Sequence, residues 1–214
     1  MGSQQRKEQE KEDLRRKVIT AATELFREES YGAVSMRKIA KRVEYSVGTL
    51  YLYYKDKDEL FLAVQSAAFE QAFTFINALS GKDDPLERLQ ELGERYVRFG
   101  MKNPDLYRLM FMMEHPMDAM EEGDPWHSGI ALHNLLTSLV KECVAAGRIV
   151  AEDPDRLSFA LWSLVHGMVS LRISQRLTIY NGAHLNCPLC GIDTDQLVIE
   201  TNEMMISILE RQKN

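Results

Sequence analysis

Between Ser35 and Lys57 the run SMRKIAKRVEYSVGTLYLYYKDK gathers hydroxyls, small residues and cations at spacings suited to holding a polyanion. Ile39, Ala40 and Val43 share one helical face, leaving Arg37, Lys38, Lys41 and Arg42 on another. Ser35 and Ser46 each stand where a hydroxyl can accept from a free amide of a first helical turn. On the second short helix, expected to run to about Tyr54, Leu50 and Tyr54 point inward and Tyr45 closes the same small core. Val47, Gly48, Thr49, Leu52 and Tyr53 then face outward, with Tyr51 at the edge. A face so poor in charge suits entry into a duplex groove, where small residues permit close approach and Thr or Tyr hydroxyls meet phosphates or base edges.

Other residues could do different chemistry. Cys187 and Cys190 form a C-x-x-C with His184 three residues before it. Zinc would need a fourth ligand from Cys143, His127 or a partner subunit, and a reversible disulfide would make a redox switch instead. The spacing is equally compatible with an incidental pair. His166, on an otherwise apolar stretch, could orient a ligand, bind metal or bond a neighbouring group, and Gly167 beside it would permit a close helix contact. Tyr96, Phe99, Tyr107, Met110, Phe111, Trp126, Leu136 and Trp162 supply aromatic, aliphatic and thioether surface, which suits either a core or a pocket for an apolar effector. Nucleophile-elbow, P-loop, dinucleotide-binding and H-E-x-x-H signatures are absent. No enzyme activity and no cofactor are expected.

The elements that would carry these residues are helical. Leu14, Val18, Ala21, Ala22, Leu25 and Phe26 mark a first helix, preceded over Gln4 to Asp13 by a polar, mixed-charge run that reads as a frayed helical extension or as an arm touching phosphates. Asp56-x-x-Glu59 reads as a capping box for a helix whose apolar positions are Leu60, Phe61, Val64, Ala67, Ala68, Phe75, Ile76 and Leu79. Asp84-Pro85, Asn103-Pro104, Asp124-Pro125 and Asp153-Pro154 each pair a capping side chain with Pro at the first helical position, so four helices start there. A loop spans 182–193, and Leu197, Thr201, Met204, Met205, Ile208 and Leu209 define a last helix.

The whole chain of 214 residues carries a formal charge of -6 and is 45% hydrophobic, enough for a sizeable core. From Tyr31 to Lys57, however, six Lys and Arg stand against two acids, so a basic face is embedded in an acidic protein. No apolar run approaches a membrane span, and a cytoplasmic location is expected.

The stretch S-V-G-T-L-Y-L-Y-Y-K-D-K-D-E-L, with A-T-E-L-F, Tyr31-Gly32 and Ser35-Met36-Arg37-Lys38-Ile39-Ala40 upstream, resembles the DNA-reading domain of the TetR family of bacterial transcriptional regulators. The resemblance implies phosphate contacts from Ser35, Thr49, Tyr51 and Lys57, and base contacts from Arg37, Val47, Gly48 and Tyr53, with Lys55 in the same interface. Glu44 departs from the glycine usual in the turn; a left-handed backbone there would cost on the order of 1 kcal/mol. Trp162 to Gly167 resembles a Trp-x-x-x-His-Gly pattern in one branch of the family's ligand domains. The fold implied is all-α with nine or so helices, a three-helix helix-turn-helix domain over residues 1–59 and a helical effector-binding and dimerisation domain over 60–214. A ligand-responsive repressor would follow, binding a palindromic double-stranded operator as a homodimer through the last two helices and released by a small, mainly apolar effector. The alternatives are a helical ligand- or partner-binding protein, or a regulator sensing metal or redox state through Cys187 and Cys190.

Overall fold

The computed structural model describes residues 3–113, 127–181 and 191–211. Among them there is no strand, and nine α-helices follow in order: α1 Ser3–Glu28, α2 Met36–Val43, α3 Val47–Tyr51, α4 Lys57–Ile76, α5 Pro85–Lys102, α6 Pro104–Phe111, α7 His127–Ala145, α8 Pro154–Ile173 and α9 Thr194–Arg211. None of them is long and apolar enough to cross a membrane.

The chain divides into two compact bodies, one drawn from Met1–Glu70 and Asp105–His127, the other from Gln71–Pro104 and Ser128–Asn214. In the first, Leu14, Val18, Ala22, Leu25 and Phe26 of α1 are buried with Met36, Ile39, Ala40 and Val43 of α2 and Leu50 of α3. Phe61 stands edge-on to Phe26 and to Tyr31, with ring centroids 4.8 and 5.1 Å apart. The buried Gln65 of α4 donates its amide to the carbonyl of Leu109 in α6. The polar run Gln4 to Asp13 is helical, forming the first half of α1 with i,i+4 pairs such as Arg6 with Glu10.

The second body packs α5 against α8 and α9, and α8 against α9. Asp84 and Asp153 cap α5 and α8 as the Asp-Pro pairs foretell, accepting from Leu86 and from Asp155 and Arg156. Asn103 does not follow that rule. Its side chain donates to the Phe99 carbonyl and so closes the end of α5 instead of opening α6. Asp124-Pro125 lies outside the described residues.

Two other expectations change. Leu79 falls beyond the end of α4 at Ile76, and Phe69 and Ala72 join its buried side. On α9 the buried positions are Val198, Asn202 and Ile206, whereas Met204 and Ile208 are exposed. That helix carries two apolar stripes, and the polar Asn202 disguises the inner one.

Candidate nucleic-acid interface

The unit around α2 and α3 is held by its caps. Ser35 accepts from the amide of Lys38, and Ser46 accepts from the amide of Thr49 at 3.0 Å. Glu44 between them has φ 62 and ψ 37, the left-handed conformation, and its amide bonds back to α2. The turn therefore keeps the glycine-type backbone with a residue that has a Cβ.

The second helix is shorter than its periodicity suggests, ending at Tyr51 and continuing as a turn, although the Tyr54 amide still reaches the Leu50 carbonyl at 3.0 Å. The cause is the start of α4. Asp56 accepts from the Glu59 amide, and Glu59 accepts in return from the Lys55 amide, so the backbone from Lys55 onward is committed to the next cap. Leu50 and Tyr54 point inward as expected. Tyr45 does not; it is exposed, and the Lys17 ammonium lies 5.4 Å from its ring centroid.

The outward side matches the expected composition. Leu52 is 82% exposed and Tyr51 52%, Gly48 is exposed, and Val47, Thr49 and Tyr53 are half-buried. A Cβ at Gly48 would meet only the Ser46 hydroxyl, at an unstrained 3.7 Å. Packing among the described residues does not demand glycine there.

The basic character of this region is smaller than residue counting suggests, because α1 supplies acids. Glu29 pairs with Lys38 at 2.6 Å, and Glu24 and Glu28 both pair with Arg42 at 3.1 Å. Arg37 and Lys41 are exposed with no acidic partner among the described residues. Lys57 points inward: its ammonium donates to the carbonyls of Tyr31 and Val34 at 2.9 and 3.2 Å and lies 3.9 Å from the Tyr31 ring centroid. Sequence spacing could not reveal these pairings, since the partners are 9 to 26 residues apart.

The residues considered for an apolar effector do not all fall in one body. Tyr107 and Met110 are buried in the first, where the Phe111 ring lies 4.7 Å from Tyr107 and 5.2 Å from Phe69. Tyr96, Phe99, Leu136, Trp162 and His166 belong to the second. There the Tyr96 hydroxyl is 3.3 Å from Nδ1 of His166 and the Ser170 hydroxyl is 3.4 Å from Nε2, while Trp162 lies 5.3 Å away one turn earlier. Burial lowers the His166 pKa below its ordinary value, which favours the neutral ring with one nitrogen donating and the other accepting.

Within the chain, no described helix crosses close to Gly167, for a Cβ there would meet nothing within 4 Å. The close approach is at Gly93 of α5, where a Cβ would collide with the side-chain amide of Asn202 on α9.

Trp126, His184, Cys187 and Cys190 lie outside the described residues, as does the side chain of His127. Cys143 is fully buried, and burial with the nearby Asp84 and Glu142 carboxylates pushes its thiol up to about 11. With no metal beside it, that thiol is protonated and packs as a small apolar side chain. Among the described residues no group of three metal-binding side chains occurs.

A family model for "Bacterial regulatory proteins, tetR family" matches residues 18–64, and one for a "Tetracyclin repressor-like, C-terminal domain" matches residues 89–184. The HTH-type transcriptional regulator HbdR of Aromatoleum sp. strain CIB is 34% identical over 79 residues, covering 36% of this chain and 34% of that protein. The HTH-type transcriptional repressor KstR of Mycolicibacterium smegmatis is 28% identical over 132 residues, 61% of this chain and 64% of its own. The chain thus spans between about a third and two thirds of the length of these curated relatives. A TetR family transcription regulator from Marinobacter aquaeolei VT8 superposes with a TM-score of 0.67 at 21% identity, over 94% of this chain and 97% of that one, a likeness of fold.

Proposed function

The chain belongs to the TetR family of bacterial regulatory proteins, and from that premise we propose that it is a ligand-responsive transcriptional repressor that binds a palindromic operator as a homodimer. The observation that carries the reading is the capped α3 helix with an exposed, uncharged outer side containing a glycine that the protein's own packing does not need. Such a surface lies against the floor of a major groove, where Val47 and Leu52 can meet thymine methyls and Thr49, Tyr51 and Tyr53 can donate to phosphates or base edges. Ser35 and Arg37 at the start of α2 and Lys55 before α4 flank it on the backbone.

One such helix reads only a few base pairs, so two copies about 34 Å apart are required for a specific site. The exposed apolar side of α8 and α9 supports pairing through these helices. Phe159, Leu164 and Leu171 on α8 are exposed with Met204 and Ile208 on α9, and Ala160, Leu164, Gly167 and Leu171 recur at the four-three-four spacing of a helix-helix seam. The open space over Gly167 suits a second copy of α8 crossing there.

Control follows from linkage. A small, mainly apolar effector that favours the arrangement with misplaced recognition helices weakens operator binding by the same free energy with which DNA weakens effector binding. In this reading Tyr96 and His166, whose hydroxyl and ring nitrogen lie 3.3 Å apart, form the polar end of the effector site.

The test is an electrophoretic shift with a duplex selected by the protein from a random pool, together with sedimentation of the Leu164→Glu variant. Dimeric protein binding a palindrome with steep salt dependence, and a monomeric variant that has lost the palindrome, support the reading. A protein that selects no duplex, or a dimer untouched by Leu164→Glu, overturns it. Reporter output with the operator between promoter and gene fixes the sign, and a rise on binding would replace repressor by activator.

A further inference from the structure

Acidic partners sort the cations of the first body into two groups. Arg15 pairs with Glu12, Arg16 with Asp13, Arg27 with Asp105, Lys38 with Glu29, and Arg42 with Glu24 and Glu28. Lys57 is turned onto carbonyls. Lys17 is exposed and has no carboxylate at ion-pair distance among the described residues.

Its ammonium is nevertheless held in place, 5.4 Å from the ring centroid of Tyr45. Tyr45 is itself exposed, in the turn between α2 and α3 and one residue before the Ser46 cap. On the same stretch of α1, the Arg15 guanidinium lies 6.0 Å from the ring of Tyr53, just past α3. An open groove of about 510 Å³ runs along α1 and α2, with Asp13, Arg16, Lys17, Thr20, Glu24 and Arg42 on its walls. Its two arginines face its two acids, so Lys17 carries the uncompensated charge.

We infer that Lys17, seated on Tyr45, is a further phosphate contact that brings α1 into the DNA interface beside the base pairs met by α3. A lysine already restrained by a ring loses less rotamer freedom on binding than a free one. Its position next to the α3 cap places the charge where the sugar-phosphate backbone passes the rim of the groove. The inference rests on the DNA-binding reading above.

The experiment measures binding of full-length protein to the selected palindrome and to a random-sequence duplex across a fourfold range of salt. Lys17→Gln removes one contact from each protomer of the dimer, so it should weaken both duplexes by the same factor and reduce the slope of log K against log salt by about 1.8. Over that range its affinity then falls about 12-fold less than that of the unsubstituted protein. Lys17→Arg should restore the slope, and Tyr45→Leu should weaken binding with the slope kept. If Lys17→Gln lowers the melting temperature, Lys17→Met, which preserves the alkyl stem over Tyr45, takes its place with the same expectation. An unchanged slope in a stable variant, while the unsubstituted protein binds normally, overturns the inference alone. An unsubstituted protein that selects no duplex overturns the function and this contact together.

Discussion

The ammonium of Lys57 donates to the main-chain carbonyl of Tyr31 and lies 3.9 Å from the ring of the same residue. With the bond to Val34, this fastens the first turn of α4 to the segment that leads into α2. Charge-assisted bonds to half-buried carbonyls are worth more than exposed ion pairs. Lys57→Met should therefore lower stability by about 2 kcal/mol in urea unfolding and weaken operator binding with the salt slope unchanged. A stable variant whose slope falls by about 1.8, one contact from each protomer, would instead assign this lysine to phosphate.

Glu44 holds a left-handed backbone at φ 62 without a glycine. Glu44→Gly removes the Cβ strain of about 1 kcal/mol and adds unfolded-state freedom that takes back part of it. The expected outcome is a gain of about 0.5 kcal/mol in urea unfolding, with operator affinity unchanged. A loss of stability would show that the Glu44 side chain contributes something the strain conceals.

Asn202 is 1% exposed, its amide oxygen and nitrogen lack partners among the described residues, and it occupies the space left by Gly93. Gly93→Ala improves helix propensity yet forces that amide aside, so stability should fall by about 1 to 3 kcal/mol. Adding Asn202→Ala should recover most of the loss, because the obstruction and a buried unpaired amide disappear together. A double-mutant cycle in urea measures this, and strictly additive effects would contradict the contact.

His166 titrates below its ordinary value because it is buried. The unfolded chain then binds a proton more readily than the folded one, so stability is full above the unfolded pKa, falls as pH drops through it, and levels off below the folded pKa. In His166→Gln the dip in melting temperature just below about pH 6.5 should flatten. A pH profile identical to the unsubstituted protein would place the titrating group elsewhere.

Much of the DNA-reading unit was legible because its signals are local. Ser35, Ser46 and Asp56 cap helices within three residues of themselves, and Leu50 and Tyr54 keep one helical spacing. What could not be read depends on neighbours distant along the chain. Glu24, Glu28 and Glu29 neutralise cations that looked free, and Lys57 finds carbonyls more than 20 residues away. Tyr45 sits beside the left-handed turn, which swings its ring away from Leu50 toward Lys17. In the second body, periodicity selected the more apolar stripe of α9, which is only half-buried, with Met204 and Ile208 exposed. Composition grouped aromatic and thioether residues that the fold distributes over both bodies, Tyr107, Met110 and Phe111 in the first and Tyr96 and Trp162 in the second.

The path of the chain bears on how this molecule could be cut and recombined. Because α6 returns to the first body and Leu109 there accepts from Gln65 of α4, the reading head is not a cassette that ends where its last cap begins. A chimera that grafts it onto a foreign sensor would have to carry α4 through Glu70 and import the segment around α6 as a second insert. A single splice would leave the Gln65 amide facing nothing and strip the cover from the surrounding aromatic cluster.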